Sequence, residues 1–217
     1  MEIEFADFLG SIHIGVSMFC TESVAFLPVN TPSHLKDLIQ KLMQVEITLV
    51  SDNIIGTLVV GNSYGCVVSN VITEEVLNQI KSAGLNIYQA PEFFAFGNVV
   101  LANDFAGIIS PIIPPQIRKE ISETLNVPLE TKTLAHSDLV GSLAYITNYG
   151  GLFSPLASEE EINNLKDILH LNEARVGSVN KGSEFVASGI VGNTKGILVG
   201  RETTGIEIME ITRCFYQ

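Results

Sequence analysis

The sequence is poor in cysteine and has no tryptophan. Its three cysteines, Cys20, Cys66 and Cys214, form no Cys-x-x-Cys pair, so we expect neither a disulfide framework nor a zinc site. The four histidines show no ligand spacing such as His-Glu-x-x-His, and there is no Walker or Gly-x-Gly-x-x-Gly motif. We therefore predict that the protein holds no metal and no cofactor.

Positive charge is also scarce, with 12 basic residues against 24 acidic ones and a net charge of −12. A protein that coats nucleic acid needs a basic surface, so DNA binding is excluded and any contact with RNA has to be local. Apolar residues make up 46% of the 217 residues and charged residues 17%, a balance that excludes disorder as the main state.

No segment looks like a membrane or export signal. The N-terminus, MEIEFAD, lacks the basic and apolar regions of a signal peptide. The uncharged stretch 139–158 is interrupted by Asn, Gly and Pro, so we predict no transmembrane helix. Together with the free thiols, these features favour a cytoplasmic protein without a membrane partner.

One short pattern occurs five times along the chain. An apolar run is followed by a small polar turn and a second apolar run, as in GTLVVGNSYGCVVS from Gly56 and GNVVLANDFAGIISP from Gly97. The turns lie near positions 20, 62, 103, 148 and 193, at intervals of 41 to 45 residues. Constant spacing over five copies indicates an internal repeat, and we predict a single domain over residues 1–217.

Each copy is predicted to be a β-hairpin, because Asn and Gly tolerate the positive φ that tight turns require. Helix-like stretches follow the first four hairpins and begin at Pro32, Thr73, Pro114 and Ser158. A short extended segment follows each of these helices. The fifth copy is predicted to lack a helix, and its end could pair with the N-terminal strand IEFAD to close a ring of five α/β units.

Four segments resemble the archaeal and eukaryotic translation initiation factor 6 family: VGNSYG (60–65), FGNVVLANDFAGIISP (96–111), LVGSLAYITNYGGLFSP (139–155) and VGSVNKGSEFVASGIVGN (176–193). The resemblance implies the pentein fold, an α/β propeller of five pseudo-symmetric strand–strand–helix–strand units in a closed ring. The chain ends at Gln217, just past its last predicted strand, and so resembles the archaeal form without a regulatory tail.

The resemblance also implies a function. Members of the family bind the large ribosomal subunit on its intersubunit face near the sarcin–ricin loop, chiefly through a ribosomal protein. They block association with the small subunit and take part in large-subunit biogenesis. The mechanism is steric, so we expect a monomeric, non-enzymatic factor of translation initiation with no catalytic residue.

Candidate contact residues lie in and near the turns, although the turn asparagines also have a purely structural interpretation. The resemblance places the Gly61-Asn62 and Gly97-Asn98 pairs toward the ribosome. Lys181 lies among small residues in the last unit, which holds four of the twelve basic residues, and could meet ribosomal RNA phosphate. The predicted ribosome-binding residues are Asn62, Ser63, Tyr64, Asn98, Asn103, Asp104 and Lys181.

Two other functions remain open at this stage. Penteins include enzymes that modify guanidino groups with a C-terminal cysteine nucleophile, a histidine and carboxylates. Cys214 and His136 are the available candidates for such a site, but the sequence shows no convincing carboxylate pair near them. A scaffold for a different protein partner is the third possibility.

Overall fold

The computed structural model describes residues 2–216, which form fifteen strands, eight α-helices and one 3-10 helix (Val186–Gly189). The strands are β1 (Glu2–Ala6), β2 (Phe19–Cys20), β3 (Val24–Pro28), β4 (Glu46–Val50), β5 (Val59–Gly61), β6 (Gly65–Val68), β7 (Asn86–Gln89), β8 (Val100–Ala102), β9 (Gly107–Ile109), β10 (Leu129–Thr131), β11 (Ala144–Ile146), β12 (Gly150–Phe153), β13 (Glu173–Val176), β14 (Ile190–Gly192) and β15 (Gly196–Gly200). The helices are α1 (Ile14–Ser17), α2 (Ser33–Met43), α3 (Ile55–Leu58), α4 (Glu74–Lys81), α5 (Phe96–Val99), α6 (Pro115–Leu125), α7 (Glu159–Ile168) and α8 (Gly205–Phe215).

The strands form five separate three-stranded sheets. In each sheet a hairpin supplies two antiparallel strands, and a third strand pairs in parallel with the second. The middle strands β3, β6, β9, β12 and β15 are buried along their whole length, as their continuous apolar runs predict. Among residues 2–216 no strand ladder joins one sheet to the next, so backbone hydrogen bonds between strands do not close a ring.

The predicted helices of the first four units are confirmed. Thr73 caps α4 through its side chain, which accepts a hydrogen bond from the Val76 amide, and Ser158 caps α7 in the same way. The acidic first turn of α7 complements the helix dipole. Gly84 adopts a φ of +76° just after α4, as expected for a residue that ends a helix.

The fifth unit differs from the sequence prediction. The segment that was expected to be extended is helix α8, which begins with a capping box between Thr204 and Glu207. The N-terminal strand β1 does pair with the fifth unit, but its partner is the middle strand β15, from Glu2↔Gly196 to Ala6↔Gly200. The chain therefore supplies the third strand of its last unit from its first residues.

Helices fill the spaces between neighbouring units. Apolar residues of α4 share a core with β3 of the first unit, and those of α6 share one with β6 of the second. The α7 helix packs with β9, α8 packs with β12, and α2 packs with β15 of the fifth unit. Since every core takes its side chains from two units, a single unit cannot bury its own apolar surface.

The five units orient the same way around a common axis. At one end of the axis α1, α3 and α5 pack in succession, and α1 also contacts the 3-10 helix of the fifth unit. The backbones approach so closely there that a Cβ on Gly15, Gly56 or Gly97 would collide with a neighbouring carbonyl oxygen. Glycine is required at these positions by close approach, not by positive φ. In the part of the chain that the structure describes, no helix combines the length and apolar character that crossing a membrane requires.

Candidate binding surfaces

The two ends of the axis carry different surfaces. At one end lie the five hairpin turns, which we call the hairpin face; their residues surround a small opening. At the opposite end lie the loops that precede the short helices, which we call the loop face. A cavity of about 110 Å³ between them is lined by residues from all five units.

Asparagine side chains connect neighbouring turns on the hairpin face. The Asn62 Nδ2 donates to the carbonyl oxygens of Asn103 (3.0 Å) and Leu125 (2.8 Å) in the next unit. Its Oδ1 accepts from the amides of Tyr64 and Gly65 within its own turn. Asn62 is 4% exposed, so this amide is fully used inside the protein.

The same arrangement recurs at two more turns. Asn103 donates to the carbonyl oxygens of Thr147 (3.3 Å) and Leu169 (2.9 Å) in the fourth unit. Asn193 donates to those of Thr21 (3.2 Å) and Met43 (2.9 Å), which links the fifth unit to the first. No turn asparagine has a positive φ, so the expected reason for asparagine is wrong. Its side chain is needed to bridge two units.

Threonine takes the place of asparagine in the other two turns. The hydroxyls of Thr21 and Thr147 accept from the amides two and three residues further on, as the asparagine Oδ1 atoms do. The equivalent positions are therefore 21 and 147, one residue away from the predicted Cys20 and Asn148. A threonine hydroxyl is too short to reach the next unit, and Tyr145 bridges the fourth and fifth units instead through Gly192 (2.6 and 2.7 Å).

A second set of bonds joins the turns through Asp104. Its carboxylate accepts from the Ser63 amide (2.8 Å) and hydroxyl (2.7 Å) on one side, and from the Asn148 Nδ2 (2.6 Å) on the other. The Asp104 amide in turn donates to the Asn148 Oδ1. The turns of units two, three and four are thus held in a fixed relation to one another.

The structure divides the predicted contact residues between the two ends. Five of them lie together on the hairpin face: Asn62, Ser63, Tyr64, Asn103 and Asp104. Of these, only Tyr64 is widely exposed, at 49%. Asn98 and Lys181 lie on the loop face.

The loop face carries a set of exposed apolar side chains that the sequence analysis did not identify. Each unit contributes one residue from the loop that precedes its short helix or helical turn, and these residues are Leu9, Ile54, Phe93, Leu139 and Phe185. Each unit contributes a second one after its middle strand, and these are Val29, Val71, Ile112, Leu156 and Ile206. Only Ile54, Leu139 and Phe185 of the first set occupy equivalent positions in their repeats, so the sequence signal for this surface is partial. Exposed apolar surface of this extent marks an interaction site.

At the centre of the loop face is a depression of about 330 Å³. Asn98 of α5 lines it, together with His13 and Ser188, whose imidazole Nδ1 and hydroxyl are 3.3 Å apart. The backbone oxygen of Asn98 accepts from the amides of Gly141 and Ser142 in the fourth unit. The depression therefore offers side-chain hydrogen-bonding groups next to apolar residues such as Leu139 and Phe185.

Lys181 lies at the tip of a tight loop on the same face. Asn180, Lys181 and Gly182 have φ values of 49°, 64° and 98°, which is a strained path for the two non-glycine residues. The buried Glu207 carboxylate holds the loop by accepting from the amides of Lys181 and Gly182. The lysine Nζ contacts the Glu202 carboxylate at 3.2 Å.

The candidate nucleophile of the enzymatic alternative, Cys214, lies inside the protein. Cys214 is completely buried in the last turn of α8, and burial raises the pKa of its thiol to about 12. A raised pKa disfavours the thiolate, which is the reactive form of a cysteine. His136 lies in a loop at the opposite end of the axis. Within residues 2–216 no three His, Cys, Asp or Glu side chains are grouped to hold a metal ion.

Comparison with known proteins agrees with this architecture. The sequence model of the eIF-6 family matches residues 3–214. Translation initiation factor 6 of Staphylothermus marinus is 37% identical over 98% of this chain and 97% of its own length. The factor of Pyrobaculum arsenaticum is 32% identical over 93% of both chains, and that of Pyrococcus horikoshii is 32% identical over 97% of both.

Five sheet-and-helix units with shared cores define a repeat-built α/β protein that presents a different surface at each end of its axis. This chain belongs to the eIF-6 family.

Proposed function

We propose that this protein is a translation initiation factor that binds the large ribosomal subunit on its intersubunit face and sterically prevents association with the small subunit. It acts as a cytoplasmic monomer, performs no chemistry, and also takes part in large-subunit biogenesis. The observation that supports this most is the loop face, where all five units expose apolar side chains and two of these, Leu139 and Phe185, line the central depression. A broad surface of this kind suits docking on a macromolecule.

We further propose that the five units close into a pentein-type ring over the whole chain, residues 1–217, as one domain. Backbone ladders do not join the sheets, so closure depends on side chains and on helix packing. The seam between the fifth and first units has the same elements as the other seams: α2 packs on β15, and Asn193 bonds to Thr21. A ring blocks more of a partner surface than an open stack does, because it cannot bend.

The chemistry of the loop face favours a ribosomal protein as the main partner. A net charge of −12 opposes extensive contact with RNA phosphate, and none of the described residues that line the depression is a lysine or an arginine. A ribosomal protein near the sarcin–ricin loop is therefore the proposed contact for Asn98. Lys181, exposed at the edge of this face, supplies the local contact with RNA.

Most of the five predicted residues on the hairpin face have a structural role in this proposal and do not contact the ribosome. Asn62, Ser63, Asn103 and Asp104 keep the units in register and so keep the loop face flat. They act on subunit binding through the shape of the ring. Tyr64 is the residue of this group that is exposed enough to touch another molecule.

Co-sedimentation with purified archaeal subunits tests the proposal. We expect the protein to pellet with large subunits, not with small ones, and to inhibit the formation of whole ribosomes. The double variant Phe93→Ser/Leu139→Ser should bind about tenfold or more weakly, because it removes two exposed anchors from the loop face. The control is Phe105→Ser, which has comparable exposure on the hairpin face and should bind normally. Failure of the wild type to pellet with large subunits would overturn the proposal.

Asn98→Ser is expected to weaken large-subunit binding about fivefold while the protein stays folded. The serine keeps one hydroxyl but is too short to make the amide contacts that Asn98 offers in the depression. Fluorescence titration with large subunits measures the change. Asn172→Ser, at an exposed position after α7, is the matched control and should leave the affinity unchanged. Equal affinities for wild type and Asn98→Ser would remove Asn98 from the contact surface.

A further inference from the structure

The hairpin face carries an aromatic side chain at the same turn position in three successive units. Tyr64, Phe105 and Tyr149 each lie two residues after the side chain that organises their turn. Their backbone amides donate to Asn62 Oδ1 (3.0 Å), Asn103 Oδ1 (2.9 Å) and Thr147 Oγ1 (3.1 Å), respectively. The equivalent positions of the remaining two units hold Ser23 and Lys195, so the aromatic row covers one side of the face only.

The row is exposed, and its backbone is rigidly held. Tyr64 and Phe105 are each 49% exposed, and Tyr149 is partly exposed. Asp104 ties the three turns together through Ser63 on one side and Asn148 on the other. Rigid aromatic rings bind partners at low entropic cost, since few torsions have to be ordered. Core packing does not require these rings, because about half of the surface of two of them faces outward.

Acidic groups lie beside the middle of the row, at and next to the Phe105 turn. The Asp104 carboxylate lies between the turns that carry Tyr64 and Phe105. Beside the Phe105 turn, Glu130 and Asp167 line a pocket of about 340 Å³, together with His170. The Lys132 ammonium lies 3.7 Å from Glu130, and it is the cation that a partner would have to compete with. Negative charge next to exposed aromatic rings opposes RNA and favours a cation.

We propose that Tyr64, Phe105 and Tyr149 form a binding surface for a basic, arginine-rich segment of a protein. A guanidinium group stacks on aromatic faces and pairs with carboxylates, whereas an ammonium group does so less well. The surface lies at the opposite end of the axis from the loop face, so a bound segment leaves the loop face free. Binding of a basic segment goes beyond the proposed function. A negative result for one of the two proposals does not contradict the other.

Binding of a labelled peptide of alternating arginine and glycine to the isolated full-length protein tests this inference. We expect the combined variant Tyr64→Ser/Phe105→Ser/Tyr149→Ser to bind the peptide about tenfold or more weakly than the wild type. This variant keeps the net charge of the protein, so a general attraction between opposite charges predicts no change. A peptide of alternating lysine and glycine should bind the wild type more weakly than the arginine peptide.

The matched control is Leu9→Ser/Phe93→Ser/Phe185→Ser on the loop face, which should keep full affinity for the arginine peptide. Thermal melts check that both combined variants are folded, and Phe105→Ser alone replaces the hairpin-face variant if it is not. Equal binding by the wild type and the hairpin-face variant would overturn the inference. Preference for the lysine peptide or for oligouridylate over the arginine peptide would also overturn it.

Discussion

Gly56→Ala should lower the free energy of unfolding by about 3 kcal/mol or more, although it adds a single methyl group. A Cβ at this position would lie far inside 3.0 Å of the carbonyl oxygens of Gly15 and Met18, which belong to the neighbouring unit. Both obstacles are backbone atoms at the axis, so no side chain can rotate away. The first and second units would have to separate along their shared core, which contains apolar residues of β3 and α4.

Substitutions at two further glycines show whether the loss of stability comes from close packing at the axis. Gly205 opens α8 with no atom within 4 Å of the site of a Cβ, so Gly205→Ala should be neutral or slightly stabilising. Gly15→Ala introduces the same collision as Gly56→Ala, but against Ala187 of the fifth unit. If the ring is closed, Gly15→Ala should destabilise as strongly as Gly56→Ala in urea-induced unfolding. A Gly15→Ala protein as stable as wild type would contradict closure at that seam, and a fully stable Gly56→Ala would contradict the axial packing.

The repeat could be predicted because each unit needs the same local chemistry. The middle strands are buried on both faces and therefore read as uninterrupted apolar runs, such as GCVV in β6 and GILVG in β15. Capping residues and prolines predict where the helices of the first four units begin. These signals are local, and the chain satisfies them without reference to the other units.

The last helix was missed because two patterns overlap in its sequence. Ile206 and Ile208 alternate with polar residues, which is typical of a strand, but Ile211, Cys214 and Phe215 continue the apolar spacing with the period of a helix. Thr204 and Glu207 supply the capping-box signature that decides between the two patterns. Burial against β12 then stabilises the helix.

Contacts between units could not be predicted from one unit alone. A turn asparagine looks the same whether it adopts positive φ or reaches across to the next unit, so Asn62 and Asn103 were assigned the wrong physical reason. The division of the predicted residues between the two faces is also a property of the assembled axis. Asn98 precedes Asn103 by only a few positions in sequence, but strand β8 runs between them and places them at opposite ends of the axis.

Glu207 connects helix α8 to the loop that carries Lys181. Its carboxylate accepts from three amides, those of Lys181 (3.2 Å), Gly182 (2.8 Å) and Thr204, and from the Ser178 hydroxyl (2.8 Å). The side chain is 7% exposed, so water cannot replace these bonds. One carboxylate thus caps α8 and holds a strained loop in place.

Glu207→Ala is expected to lower the free energy of unfolding by about 3 kcal/mol, because it leaves buried amides without an acceptor. Urea titration measures the loss. Glu210→Ala, one turn further along α8, removes an exposed pairing with Arg213 and should change stability by less than about 0.5 kcal/mol. A Glu207→Ala protein that unfolds at the same urea concentration as Glu210→Ala would show that the loop does not depend on the carboxylate.

The pH dependence of stability distinguishes the contribution of the Glu207 charge from the contribution of its packing. Burial alone would raise the pKa of this carboxyl, but hydrogen bonds from the Thr204 and Gly182 amides and the Ser178 hydroxyl outweigh burial and lower it below the usual 4.5. A lowered pKa in the folded protein means that the ionised carboxylate stabilises the fold above about pH 4.5. That stabilisation is lost as the pH falls through the lowered value. The stability difference between wild type and Glu207→Gln should therefore be constant near neutral pH and shrink at pH values below 4.5. A difference that persists unchanged in strong acid would mean that Glu207 contributes through packing and not through its charge.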